Sequence, residues 1–315
     1  MPAPDPSRRR PVLLSKIRRF WLIPAALLAV PVGLSWYFTA PLADRPIAPP
    51  PGSARPDPGV EVAPGVGSVE SAVVDWPTTR VEGPAAKQVL LDSARRSVAR
   101  LQRVRFYTAT FRRQERVAGV LGPEIVAQLK IRNQPFAIYL KYLSPRPGKE
   151  VVYADGHHDN KVIAHNGDWT RRLIPRLAVA PDSALALADS RHPVTDAGLL
   201  NLSRKLLRFR LMDMGDEAAT TILDRATTPG GRPVLRSTQS HSDPGGGRPF
   251  CRVEILYDVE SQVPFQIKSY DWPGPDHSGE LDLAERYTYD DLMLDAPLTA
   301  ADFDPANPDY AFMRF

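Results

Sequence analysis

Chemistry in this chain would have to come from six histidines, 36 acidic residues and a single cysteine. His157-His158-Asp159 follows Asp155-Gly156. Imidazole and carboxylate both ligate metals, but neighbouring strand residues point to opposite faces, and Asp-Gly marks a turn. A solvated hairpin tip is the expectation there. Asp302, Asp304, Asn307 and Asp309 offer oxygens at short spacing, as calcium prefers. They lack the loop glycine and terminal glutamate of the helix–loop–helix calcium motif, and Thr299-Ala-Ala-Asp302 reads as a capping box with a turn at Asn307-Pro308. His165 and His192 have acids nearby in sequence but no nucleophile set beside them. Glu115, Glu150 and Glu254 could supply the carboxylate pair of a hydrolase, a pairing that spacing alone does not establish. Gly245-Gly-Gly247 is followed by neither Lys-Ser/Thr nor a helix pattern, so it is no phosphate cradle. No G-x-S-x-G, Walker loop, H-E-x-x-H or paired Cys-x-x-Cys occurs. No cofactor and no metal are expected, and a binding protein is expected ahead of an enzyme.

The elements that would position these groups read as α+β. Ala85 to Val104 is predicted as a helix, with Leu90, Leu91, Ala94, Val98 and Leu101 on one stripe and arginines around the rest. The period then switches to two, with Tyr107, Ala109 and Phe111 alternating with polar neighbours. Further strands are predicted at Ile125–Arg132, Phe136–Leu143, Glu150–Ala154, Lys161–His165 and Trp169–Ile174. The middle reads as a short helix over Pro181–Ala188 and a longer one over Thr195–Met212, with Thr195 as its N-cap. Strands return at Thr220–Arg225, Arg232–Ser240, Phe250–Asp258, Val263–Trp272 and Glu280–Leu292. Sequential strands joined by short turns imply an antiparallel sheet.

The pI of 9.2 is misleading about partners. Arg8, Arg9, Arg10, Lys16, Arg18 and Arg19 precede Phe20 with only Asp5 against them, so that flank holds +5 of a net +4 and the remainder is close to neutral. Nothing in the charge argues for nucleic acid. Residues 20–40 form an apolar run of 21 residues without a charge, about 30 Å as a helix, which matches a hydrocarbon core. Trp21 stands at one end, and Trp36 and Tyr37 at the other, where amphipathic rings favour the headgroup zone. A cleaved signal peptide would want a small residue where Phe38 stands. The organisation expected is a cytoplasmic basic tail over 1–19, a transmembrane helix over 20–40, a Pro-rich tether over 41–83 and a globular domain over 84–315. The basic flank places the N-terminus in the cytoplasm, the helix in the inner membrane and the domain outside, in the periplasm. Cys251 is the only cysteine, so no intrachain disulfide forms.

Tyr107-Thr-Ala109-Thr-Phe111, directly after the first helix, resembles the opening strand of the LolA/LolB-like lipoprotein carriers. The run from Ala127 to Phe136 resembles their next strand, turn proline and third strand, and Glu150-Val-Val-Tyr153-Ala-Asp155-Gly156 their strand ending in Asp-Gly. The chain also resembles, over nearly all of 85–315, a bacterial family of exported domains of unknown function, family 1571. That likeness is carried by Pro135-Phe-Ala-Ile-Tyr-Leu-Lys141, Gly148-Lys-Glu150-Val-Val-Tyr153, Arg191-His-Pro193-Val-Thr195 and the tail from Phe303 to Tyr310. The resemblance implies a curled antiparallel sheet, an incomplete barrel closed by helices, with an apolar hollow that takes acyl chains. Its wall would be Tyr107, Phe111, Leu129, Phe136, Ile138, Tyr153, Ile255, Tyr257, Phe265, Ile267, Tyr287 and Tyr289, all on apolar-alternating strand faces. Alternation alone fits a filled core as well as a ligand cavity. The function expected is therefore a membrane-tethered envelope protein that binds an acyl chain, lipid or lipoprotein. A sensor or scaffold for a protein partner is the alternative, and an envelope hydrolase the second.

Overall fold

The computed structural model describes residues 76–167, 176–244, 247–274 and 279–313. The chain divides into two units, Met1–Ser68 and Val69–Phe315, and the described residues belong to the second. The apolar run over 20–40, most of the Pro-rich stretch and the strand expected at Trp169–Ile174 lie outside them. Among the described residues no helix is long and apolar enough to cross a membrane.

Two helices and thirteen strands are described. In chain order they are β1 (Val81–Glu82), α1 (Gly83–Arg103), β2 (Phe106–Val117), β3 (Val120–Leu121), β4 (Ile125–Arg132), β5 (Ala137–Ser144), β6 (Glu150–Ala154), β7 (Val162–His165), β8 (Leu177–Val179), α2 (Leu199–Met214), β9 (Thr220–Thr227), β10 (Pro233–Ser240), β11 (Arg252–Asp258), β12 (Pro264–Tyr270) and β13 (Leu283–Leu294). The strands form one curled sheet in the order β1-β9-β10-β11-β12-β13-β2-β4-β5-β6-β7-β8, with β3 hairpinned onto β2. Every pairing is antiparallel. Two meanders, β2 to β8 and β9 to β13, are sewn together where β13 pairs with β2, setting Tyr289 opposite Phe111 and Glu285 opposite Glu115.

Both helices lie on the concave face. Side chains from alternate positions of β2, β4, β5, β6 and β13 pack with Leu101, Leu199 and Leu200 in one apolar cluster. Leu223, Leu235, Ile255, Tyr257 and Ile267 pack with Ala86, Leu90 and Leu206 in a second. Trp76 joins this second cluster, its ring 5.7 Å from that of Tyr257. A third cluster lies on the convex face, where Phe303, Tyr310 and Phe312 of the C-terminal segment cover Tyr139, Val152 and Ile163. The Thr299–Asp302 capping box forms there.

Three sequence expectations are corrected. Pro181–Ala188 is a run of turns, not a helix; Ser183 Oγ donates to the Ala180 carbonyl and accepts from the Ala186 N–H, so the side chain competes for backbone partners. The longer helix begins at Leu199, and Thr195 lies in a separate 3₁₀ turn, Val194–Asp196. Gly198 forces the break, because its φ of 101° is a left-handed value that a helix cannot include. The strand expected from residue 107 runs on to Val117 and turns back through Ala118-Gly119, both at positive φ, into β3.

Gly198 is also a packing requirement. A Cβ there would stand 2.9 Å from Ile131 Cδ1 and 3.0 Å from the Tyr107 hydroxyl oxygen. That hydroxyl accepts the Leu199 N–H at 2.7 Å and pins the first turn of α2 to the sheet. Gly198→Ala is expected to cost about 2 kcal/mol through strain and displacement of that contact. Denaturant unfolding measures it, and a midpoint equal to wild type would refute this account of the α2 start.

Candidate functional site

The twelve wall positions all fall on strands or strand ends facing the helices, and they divide among three environments. Tyr107, Phe111, Leu129, Ile138, Tyr153 and Tyr289 are buried in the first cluster, with Phe136 and Tyr287 packed against it half-buried. Ile255, Tyr257 and Ile267 are buried in the second cluster. Phe265 belongs to neither cluster; it is buried, but its ring lies 4.5 Å under the Arg232 guanidinium at the end of the sheet. Phe111 stacks on Tyr287 and tilts against Tyr289, at centroid distances of 6.1 and 5.0 Å.

One rim of this apolar interior is charged. Glu115 and Glu285, direct partners on β2 and β13, are both buried on the concave face. Tyr287 donates its hydroxyl to Glu115, which also accepts from Arg113 at 3.1 Å and from the Arg191 backbone N–H at 3.1 Å. Glu285 accepts from His192 Nε2 at 2.8 Å and from Ser269 at 3.1 Å. Burial pushes the Glu285 carboxyl up, but His192, Lys205 and Arg191 together hold it below the usual carboxylate range. Burial and the two neighbouring carboxylates raise the Tyr287 phenol well above its ordinary value. Asp189 meets Arg146 at 3.1 Å and Arg113 at 3.8 Å, and Arg191 donates to the Arg116 carbonyl at 2.9 Å.

These contacts fasten one segment, the described part of the β7–α2 connection, across the end of the curled sheet. Its Val179, Val194 and Ala197 pack on the first apolar cluster, while residues 189–192 are held by ion pairs and hydrogen bonds. Each buried carboxylate accepts hydrogen bonds from donors on this strap, so the arrangement holds the strap in position. His192 was legible in the sequence as a histidine near acids; Glu285 was not, since only strand register brings it to Glu115.

The other acids and histidines separate. Glu150 sits on the convex face with His165 at 2.9 Å, Glu254 faces outward on β11 beside Tyr270, and Glu115 lies inside. The three carboxylates named as a hydrolytic pair are thus not brought together. His157, His158 and Asp159 form an exposed turn, and among the described residues no cluster of three metal-ligating side chains occurs.

At the opposite end from the Glu115 pair, where α2 begins, a pocket of about 380 Å³ opens to solvent. The β4–β5 turn supplies Asn133, Gln134, Pro135 and Phe136, the turn after β6 supplies Asp155, and the strap and first turns of α2 supply Thr195, Ala197, Leu200, Asn201 and Arg204. Of the twelve wall residues, only Phe136 lines it. The polar lining was not legible, because three separated segments contribute it.

A family model described as "Protein of unknown function (DUF1571)" matches residues 104–312. No curated protein matches the sequence. Among solved structures, the chain is similar to a putative outer membrane lipoprotein-sorting protein domain from Vibrio parahaemolyticus, at 12% identity over 69% of this chain and 97% of that one, with a TM-score of 0.34. It is similar to lipoprotein LppX of Mycobacterium tuberculosis at 14% identity over 69% and 99%, TM-score 0.38. The corresponding values for LprF of Mycobacterium bovis are 13%, 69%, 96% and 0.38.

Proposed function

We propose that this chain, which belongs to the DUF1571 family of proteins of unknown function, is a membrane-tethered binding protein of the cell envelope that holds an acyl chain of a lipid or lipoprotein between its curled sheet and its helices. It acts by binding, not by catalysis. The observation that carries the reading is the contrast at the strap: an aromatic, apolar interior lies beneath a segment whose outer ties are charged pairs. The exposed Arg146–Asp189 pair contributes about 0–1 kcal/mol, whereas the ties to buried Glu115 and Glu285 cost more to break, so the cover lifts only where burial of the ligand's apolar surface beneath it compensates. An acyl chain gains about 0.8 kcal/mol for each CH₂ removed from water. The apolar run over 20–40 anchors the protein in the inner membrane, the basic flank keeps residues 1–19 in the cytoplasm, and the Pro-rich stretch over 41–83 tethers the domain outside.

A second reading, a scaffold for a protein partner, is favoured by a different observation. Ten of the twelve wall residues are buried, nine of them in the two apolar clusters beneath the helices, as in a filled core.

Two measurements test the proposal. The full chain, extracted from membranes in an uncharged detergent, should release acyl lipid in about equimolar amount on organic extraction, consistent with a single-ligand site of this kind. Protein free of acyl chains but bound to a stoichiometric protein partner would replace the first reading with the second. A reporter active only outside the cytoplasm, fused after Phe315, should be active, and the intact mass should retain residues 1–40 apart from N-terminal trimming. An inactive reporter would reverse the orientation, and a mass starting near Pro41 would remove the anchor.

A further inference from the structure

The pocket at the start of α2 has a lining that a plain acyl chain does not need. Its volume of about 380 Å³ is at the low end for small-ligand sites, roughly 300–1,000 Å³. Its inner side is apolar and borders the first cluster: Leu200 is buried in that cluster, and Phe136 packs on it and against Tyr153 at 6.2 Å. Its outer side is polar. The Asn133 amide donates to the Leu101 and Val104 carbonyls, and the Asn201 amide to those of Thr195 and Ala197. Both side-chain nitrogens are therefore committed to the backbone, which fixes the two side chains in place.

The charge balance is uneven. Asp155, the acid on the lip, already accepts the Tyr153 hydroxyl at 2.8 Å and faces the positive field of Arg132. Arg204 is exposed and makes no ion pair or hydrogen bond among the described residues. Arg208, one helical turn on, adds a second positive charge to the same ridge. A guanidinium at the mouth of a pocket whose floor touches the apolar cluster has the chemistry to bind a carboxylate or a phosphate oxygen.

We infer that this pocket seats the anionic head group of the acyl ligand, with its carboxylate or phosphate on Arg204 and its chain passing Phe136 and Leu200 into the interior. The inference rests on the acyl-binding reading and adds to it that the ligand is an anionic amphiphile entering head-outward at the start of α2. It also assigns Arg204 a binding role apart from holding the fold, since among the described residues no hydrogen bond or ion pair depends on its charge.

The test is photo-crosslinking of the full chain in an uncharged detergent, with diazirine-bearing hexadecanoic acid and the matching hexadecanol as probes. Wild type, Arg204→Gln and Arg204→Lys are compared, and labelled peptides are mapped. The acid should label the peptides carrying Phe136 and Leu200. Arg204→Gln should weaken its apparent affinity about fivefold, the scale of one exposed charge pair, while the alcohol is unaffected and Arg204→Lys keeps most of the acid's affinity. Inorganic phosphate should compete only weakly, because it lacks the chain. If acid and alcohol both label the interior and Arg204→Gln changes neither, the head-group inference falls and the acyl reading stands. If neither probe labels the protein, both fall. If inorganic phosphate displaces the acid as effectively as unlabelled hexadecanoic acid does, the pocket is a free-anion site and the amphiphile assignment is overturned.

Discussion

Replacing Glu150 by alanine should lower the stability of the domain by about 3–5 kcal/mol, the usual result of breaking a buried charge pair from one side. The thermal midpoint should drop by roughly 10 °C for a domain of this size. Glu150 is 2% exposed and accepts from His165 Nε2 at 2.9 Å, Tyr139 at 3.1 Å and the Ala311 backbone N–H at 2.8 Å. His165 Nδ1 stands 2.7 Å from the Asn166 carbonyl oxygen, which can only accept. Alanine would leave that ring facing a void and release the C-terminal segment at Ala311, whose neighbours Tyr310 and Phe312 cover the convex face. The pH dependence has a definite sign. Burial pushes the Glu150 carboxyl up, but His165, the Ala311 N–H and Tyr139 outweigh it and hold the group below the ordinary carboxylate range. A depressed acid contributes stability above its unfolded value, about 4.3, and that contribution disappears as pH falls through the folded value. Wild type should lose stability below about pH 4.3 more steeply than Glu150→Ala. Melts of the full chain across pH check both statements, and parallel wild-type and variant curves would show that the pair contributes nothing.

This pair also marks where sequence stopped being informative. The strands were legible because alternation is local: Tyr107, Ala109 and Phe111 share a face whatever the rest of the chain does. The first helix was legible from its apolar stripe, and the structure places it at Gly83–Arg103. The start of α2 was misread because Thr195 has the right chemistry for an N-cap, while the break at Gly198 depends on contacts with Ile131 and Tyr107 far away in sequence. Glu150 read as a candidate carboxylate of a hydrolase, without a partner that spacing could identify. That it would be buried on the outer face, satisfied by residue 311, depends on a C-terminal segment whose apolar residues follow no helix or strand period that would show which surface they cover. The Glu115–Glu285 pair is subject to the same limit, since β2 and β13 are joined only by the closure of two meanders. Local periodicity thus reveals which residues face inward, and long-range register decides which charges meet there.

Register also decides which substitution reports best on the interior. Phe111→Glu should remove cooperative folding, because the new carboxylate would lie between the Tyr287 and Tyr289 rings on a face with Glu115 four residues along the same strand. Burying an unpaired charge there costs at least about 4 kcal/mol after relaxation, in addition to the lost aromatic packing. Phe265 is different although it is equally buried, since its ring lies 4.5 Å under the Arg232 guanidinium. A glutamate at 265 would find that cation within reach, shared with its present partner Asp258, so Phe265→Glu should still fold, with a lowered midpoint from the lost ring. Unfolding and acyl-probe binding measured side by side then separate the two functional readings. A filled core requires that Phe111→Glu unfold and that wild type bind no probe. An interior that opens for a ligand requires wild-type binding, with Phe265→Glu retaining it. If Phe111→Glu folds with a near-wild-type midpoint, water already reaches the centre of the aromatic wall, and the packing described for Phe111, Tyr287 and Tyr289 does not hold in solution.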